Sequence, residues 1–317
     1  MADRELLAGG VGNAGQVERW GDQVVRPSGR HTATVHALLR HVRAAGFDGV
    51  PEPLGVDPDG RERLSFVPGD VPCPPFPAWS QTDEALASVA RLLRRFHDAT
   101  VGFVPPGDAW WDDEMAEPGV AAASGTAAAA ERVAPSDGDL VVCHHDVCPE
   151  NVVFRDGRAV ALLDFDFAAP GRRVFDLASL ARMCVPIDEP VNAGRLGWNP
   201  ADPVARLRLV ADAYGLPPDR SSLVAPLRDQ IRAGGWFVRR RVVAGDPAFT
   251  AMWEEMGGEA RYERRHRWFE SRLDDFVHGV GGGAARPGGA EPTPPIPTPP
   301  PPPTADLSGA PQQRPRP

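Results

Sequence analysis

The chain has 317 residues and a formal net charge of −9, with 42% hydrophobic and 24% charged residues, a globular balance with room for one large domain or two lobes. The acidic balance argues against a general nucleic-acid binder, and no apolar run approaches the ~20 residues that cross a bilayer. All 34 basic residues are arginine, which rules out Schiff-base chemistry on lysine and argues against a Walker-type phosphate loop, whose lysine reaches the β- and γ-phosphates.

In chain order, the sequence opens without a charged-then-apolar leader, so a cytoplasmic location is the expectation. The glycine-rich stretch Gly9-Gly10-Val11-Gly12-Asn13-Ala14-Gly15 precedes two strand-like runs, Gln16 to Trp20 and Gln23 to Arg26, joined by a Gly21-Asp22 turn. A helix follows, with Thr32 as its cap, Val35, Leu38, Leu39 and Val42 on one face, and Gly46 at its end. Val50 to Val56 and Arg63 to Val67 read as strands, and Pro68-Gly69 closes a first block. A proline-rich connection leads to a second helix from Ser80 or Thr82, with Leu86, Val89, Leu93 and Phe96 as its buried stripe. Ala121 to Ala130 is alanine-rich enough for a helix.

Leu140 to Cys143, Val152 to Phe154 and Ala159 to Leu163 are short apolar strands, the last two joined by an Asp156-Gly157 hairpin turn. From Arg173 to His278 the pattern is helical, with Arg239, Arg240 and Arg241 as a solvated helix face. This order predicts an α+β fold of two lobes: a small β-rich lobe over residues 1–67 and a larger, mainly helical one over 68–280. Residues 281–317 are glycine-rich and then proline-rich, and such a segment cannot offset its ordering entropy, so a disordered tail is expected. Cys73, Cys143, Cys148 and Cys184 are too few and too scattered for a disulfide framework.

The chemistry concentrates in His144-His145-Asp146-Val147-Cys148-Pro149-Glu150-Asn151 and in Leu162-Leu163-Asp164-Phe165-Asp166. These segments supply a carboxylate, an amide five residues on, and further carboxylates at the end of an apolar strand. Phosphoryl transfer needs this inventory: one carboxylate orients the acceptor hydroxyl and takes its proton, while hard oxygens hold magnesium against the phosphates.

These residues resemble the aminoglycoside phosphotransferases and their relatives, which share the two-lobed fold of protein kinases. The family loop His-x-Asp-x-x-x-x-Asn is matched by His144, Asp146 and Asn151, its metal-binding Asp-aromatic pair by Asp164-Phe165, and a later Asp-Leu-Ala by Asp176-Leu177-Ala178. The resemblance runs from about Leu7 to Phe276 and includes Phe96-His97-Asp98. It implies Mg2+ and ATP (or GTP) as co-substrate, Asp146 as the base, His144 as a buttress, and Asn151 and Asp164 as metal ligands, with Asp166 a further candidate. Asp176 is expected to tether the loop. Gly10 and Gly12 would cover the phosphates, and Ser65, Phe66 and Val67 would form the hinge that meets adenine.

The family's strand lysine and its helix glutamate have no direct counterparts. Arg26 takes the basic position, no glutamate lies between Arg26 and Pro51, and His36 stands where the partner is expected. A nucleotide-binding pseudokinase or regulatory module is therefore the alternative reading. Zinc on Cys143, His144, His145 and Cys148 is a weaker one, because the spacing fits no common finger. A protein kinase is disfavoured by the missing Ala-Pro-Glu segment. The expected partner is a small hydroxyl-bearing acceptor, with Asp112, Asp113, Glu114, Glu254 and Glu255 as candidates to receive a cationic one. Trp110, Trp111 and Trp253 are candidates to line its cleft.

Overall fold

The computed structural model describes residues 4–7, 15–107, 109–111, 114–115 and 139–281. Gly10, Gly12, Asp112, Asp113, the stretch Ala121 to Ala130 and nearly all of the expected tail lie outside these residues.

A five-stranded antiparallel sheet forms the first part: β1 (Arg4–Leu6), β2 (Glu18–Trp20), β3 (Gln23–Pro27), β4 (Pro53–Val56) and β5 (Arg61–Ser65), in the order β1-β2-β3-β5-β4. Gly21, at φ 65°, makes the expected tight turn between β2 and β3. The register sets Arg26 of β3 directly opposite Glu62 of β5, and cross-strand neighbours of opposite charge attract. Helix α1 (Thr32–Ala44) buries the expected Val35, Leu38, Leu39 and Val42. Thr32 is not its cap: His31 holds that position, and the Thr32 hydroxyl instead accepts from Gly29 N–H at 2.9 Å.

The strands differ from expectation in several places, among them β4, which begins at Pro53 and not at Val50. β1 and a later strand, β9 (Ala169–Arg172), are too short and mixed in sequence to show a period of two. β5 begins two residues earlier than the apolar pattern indicates, because its first inward residue is a glutamate. Pro68-Gly69 leaves the sheet as expected. Gly69 sits at φ 148°, and a Cβ there would lie 2.5 Å from a methyl of Val153 and 2.6 Å from the Phe154 carbonyl. The linker therefore lies flat on the second part of the fold, where Asp70 and Phe154 exchange backbone hydrogen bonds of 2.9 and 2.8 Å.

That second part is built around α2 (Asp83–Thr100), whose Thr82 side chain caps it by accepting from Ala85 N–H. Two short antiparallel pairs lie against it: β6 (Leu140–Cys143) with β9, and β7 (Val152–Arg155) with β8 (Arg158–Leu162). Helices α3 (Arg173–Cys184), α4 (Pro190–Arg195), α5 (Pro203–Tyr214), α6 (Val224–Val243), α7 (Pro247–Glu255), α8 (Gly258–Ser271) and α9 (Leu273–Val280) complete it. One apolar cluster runs from Leu38 and Leu39 of α1 through Leu92 and Phe96 of α2 to Leu177, Leu207 and Phe276. Phe165 joins this cluster, its ring centroid 5.4 Å from Phe96 and 4.6 Å from His144. Among the described residues no helix is long and apolar enough to cross a membrane.

Candidate active site

Asp176, in the first turn of α3, fixes the loop that follows β6. Its carboxylate accepts from the His144 and His145 amides at 2.7 and 2.8 Å and contacts His97 Nε2 at 2.9 Å, all fully buried. Burial pushes the Asp176 pKa up, but the His97 contact and neighbouring histidines outweigh it and hold the group below the usual carboxylate range. His145 adopts a left-handed φ of 64°, which lets two consecutive amides face one carboxylate. The tethering role expected of Asp176 matches this geometry.

His144 also acts through hydrogen bonds. Its Nε2 lies 2.9 Å from the Leu163 carbonyl, which only an N–H can satisfy, so Nδ1 is left to accept the Asp146 amide at 3.3 Å. Burial lowers its pKa, in keeping with a neutral ring. Asp146 then sits beside Asn151, whose Nδ2 donates to the Asp146 carboxylate at 2.9 Å and to its carbonyl at 3.0 Å. Burial and the nearby Asp164 charge raise Asp146 to about 7, which suits a group that must take a proton near neutral pH.

Asp164 follows β8 at a left-handed φ of 60°. Arg26 reaches across from the sheet: its Nε donates to Glu62 (2.6 Å), Nη1 to Asp164 (3.0 Å) and Nη2 to Asp166 (2.6 Å). His36 of α1 holds the other oxygen of Glu62 at 2.8 Å, and His31 contacts Asp166 at 3.1 Å. Glu62 is thus the missing acidic partner of Arg26. It comes from the neighbouring strand, while His36 from the helix supports it. Burial pushes Glu62 up, yet His36 and Arg26 together keep it lowered. Sequence reasoning passed over Glu62; the signal was a single charge on an inward position of a strand paired with Arg26.

A magnesium ion fits these residues by their chemistry. Asn151 spends its Nδ2 on Asp146, and its Oδ1 accepts no hydrogen bond among the described residues, so a hard oxygen remains beside two carboxylates. Burial and the Asp166 charge raise the pKa of Asp164, and Arg26 supplies one balancing cation. The expected hinge is partly committed: Ser65 N–H donates to Glu52 and Phe66 N–H to Asp22, whereas no hydrogen bond engages the Val67 amide among the described residues.

The other described candidate residues make separate contacts, and Trp110 borders the site through His31. Glu114 pairs with Arg241 at 2.6 Å, and Glu254 and Glu255 are exposed on α7. Trp111 is core, Trp110 stacks on His31, and Trp253 stacks on Tyr262 at 5.0 Å. Cys143, His144, His145 and Cys148 do not form a ligating group. Among the described residues the one such cluster is His97, Cys143 and Asp176, and both nitrogens of His97 are spent on Asp176 and Tyr214.

The fold and this cleft define a protein-kinase-like phosphotransferase. The model of the phosphotransferase enzyme family matches residues 19–208, and the chain belongs to that family. The trifolitoxin immunity protein of Rhizobium leguminosarum bv. trifolii is 34% identical over 219 residues, 68% of this chain and 76% of that protein. Among solved structures, a choline/ethanolamine kinase family protein from Mesorhizobium loti superposes with a TM-score of 0.58 at 20% identity, covering 88% of this chain and 92% of that one. An aminoglycoside phosphotransferase from Alicyclobacillus acidocaldarius gives 0.50 at 17% identity, covering 87% and 92%.

Proposed function

We propose that this protein transfers the γ-phosphoryl group of ATP, or GTP, in its magnesium complex to a hydroxyl of a small molecule. The observation that carries this reading is the Asp146–Asn151 hydrogen bond of 2.9 Å, which holds one half-buried carboxylate beside the amide suited to the metal. Asp146 orients the acceptor hydroxyl and accepts its proton as the bond to phosphorus forms. Asn151 Oδ1 and Asp164 would hold magnesium, with Asp166 a further candidate ligand; when bound, the ion would neutralise charge on the phosphate oxygens. Arg26, anchored by Glu62, swings one arm from a carboxylate to a phosphate oxygen, a geometry that a planar fork satisfies well. Val67, together with Gly10 and Gly12 ahead of β2, completes the nucleotide side.

The pseudokinase alternative draws on one observation, that Arg26 already pairs with both Asp164 and Asp166. Equilibrium nucleotide binding with and without Mg2+ separates the roles. Asp164→Ala should remove the magnesium-dependent part of ATP affinity, while Asp146→Ala should leave it largely intact. Equal magnesium dependence in both variants would refute the assignment of the metal side.

A further inference from the structure

Arg182 of α3 stands beside the loop that carries Asp146, and no partner for it is found among the described residues. Among the described residues its guanidinium makes no hydrogen bond and no ion pair, and its Nε is shut off from solvent while part of the side chain stays open. Burial lowers its pKa, and the opposing influence comes first from the Asp146 carboxylate, which it meets through its field and not through a direct ion pair. An unpaired cation in such a place is costly, and a structural role would have given it a carboxylate.

The fold makes specific room for this side chain. At Gly234, in the middle of α6, a Cβ would lie 2.6 Å from Nη1 and 3.2 Å from Cζ of Arg182. The next residue, Gly235, does the same for Tyr262, where a Cβ would come within 3.2 Å of the ring. Two consecutive glycines are poor choices for a helix interior, so this thinning of α6 serves what packs on it. One turn earlier, Gln230 is fully buried with both amide atoms lacking partners among the described residues.

The charge around this wall is positive. Arg261 and Arg265 of α8 share Asp188 at 3.3 and 3.7 Å, and Arg265 also donates to the Arg182 carbonyl. Glu150, on the loop that carries Asp146, keeps a buried Oε2 without a hydrogen-bond partner among the described residues, and burial raises its pKa, which favours the uncharged form over pairing with an amine. An amine-bearing acceptor would therefore meet unscreened arginine, whereas a carboxylate would find a planar fork already in place.

We infer that Arg182 anchors a carboxylate of the acceptor, so that the hydroxyl presented to Asp146 belongs to a hydroxy acid and not to an amino alcohol or an aminoglycoside. This rests on the phosphotransfer reading above and assigns the substrate class of the same site. Direct attack by the hydroxyl oxygen on the γ-phosphorus then breaks the bond to the ADP oxygen, and Asp146 takes the hydroxyl proton.

The test uses the full chain with Mg-ATP and matched hydroxyl compounds: hydroxy acids, their neutral amides, phosphate-bearing alcohols, amino alcohols and an aminoglycoside. Hydroxy acids should turn over best. Arg182→Gln should erase on the order of 10- to 100-fold of the preference for an acid over its own amide, mainly through KM, and Arg182→Lys should restore part of it. Turnover of amino alcohols or the aminoglycoside, unchanged in Arg182→Gln, would overturn the inference and leave phosphotransfer standing. A preference for phosphate-bearing alcohols would also overturn it. So would a kcat loss equal for acids and amides, because that marks a contact to the transferred phosphoryl group. No turnover of any compound above the Asp146→Ala background would remove the phosphotransfer reading and this inference together. Thermal unfolding supplies a readout that needs no acceptor: Arg182→Gln should melt higher than wild type, and a lower midpoint would mark Arg182 as structural and refute the anchor.

Discussion

Replacing Arg26 perturbs the site where its two halves meet. The guanidinium holds Glu62, Asp164 and Asp166 at once, at 2.6, 3.0 and 2.6 Å, with only 8% of the arginine side chain exposed. Charge-assisted hydrogen bonds contribute about 1.5–3 kcal/mol each. A lysine ammonium is a point charge that cannot reach all three carboxylates, so Arg26→Lys should lose at least one such bond and about 2 kcal/mol. Arg26→Met strands three carboxylates and should cost about 3–5 kcal/mol, the usual penalty for breaking a buried pair. Urea unfolding in the presence of a chelator measures both. Mg2+ without nucleotide should then restore more stability to Arg26→Met than it adds to wild type, because Asp164 and Asp166 need a counter-cation. If Arg26→Met unfolds at the wild-type urea concentration in chelator, the network does not hold the lobes together as described.

Two further outcomes follow from the loop. The folded state favours neutral Asp146, raised to about 7 against an unfolded value near 3.8, so its stability cost is absent below about pH 4, grows through pH 7 and is full above it. Asp146→Asn should therefore be more stable than wild type at pH 8 by on the order of 2–4 kcal/mol in metal-free protein, and nearly equal at pH 4; a constant difference across this range would show that the group is not buried as described. Asp176→Asn keeps the volume but loses the charge that two amides and His97 share, and should cost about 3 kcal/mol in chemical denaturation. An unchanged midpoint would mean that the loop has another tether.

Much of the candidate site was legible because it is local in sequence. Asp146 and Asn151 belong to one turn, and Asp164 sits at the end of a strand whose apolar run announces it. His144 as a buttress came from the family resemblance, and the helices α1 and α2 follow from their apolar stripes. What escaped depends on pairing between distant segments. Glu62 faces Arg26 only through the β3–β5 register, and an inward charge breaks the apolar alternation that marks a strand. β9 has no apolar period and exists because β6 needs an edge partner. Arg182 looked like any helical arginine; the double glycine in α6, which gives it and Tyr262 room, was the trace left in the sequence. Thr32 was misplaced by one residue because its hydroxyl serves the turn at Gly29 and not the helix.

The most direct test of the account is acceptor-dependent transfer of the γ-phosphoryl group from Mg-ATP, compared between wild type and Asp146→Asn with an acceptor that wild type turns over. A positioned general base typically contributes 10²–10⁴-fold, so the variant should fall by about that factor in kcat while nucleotide affinity stays close to wild type. Equal rates for the two proteins would contradict the central claim that the carboxylate held by Asn151 takes the acceptor's proton.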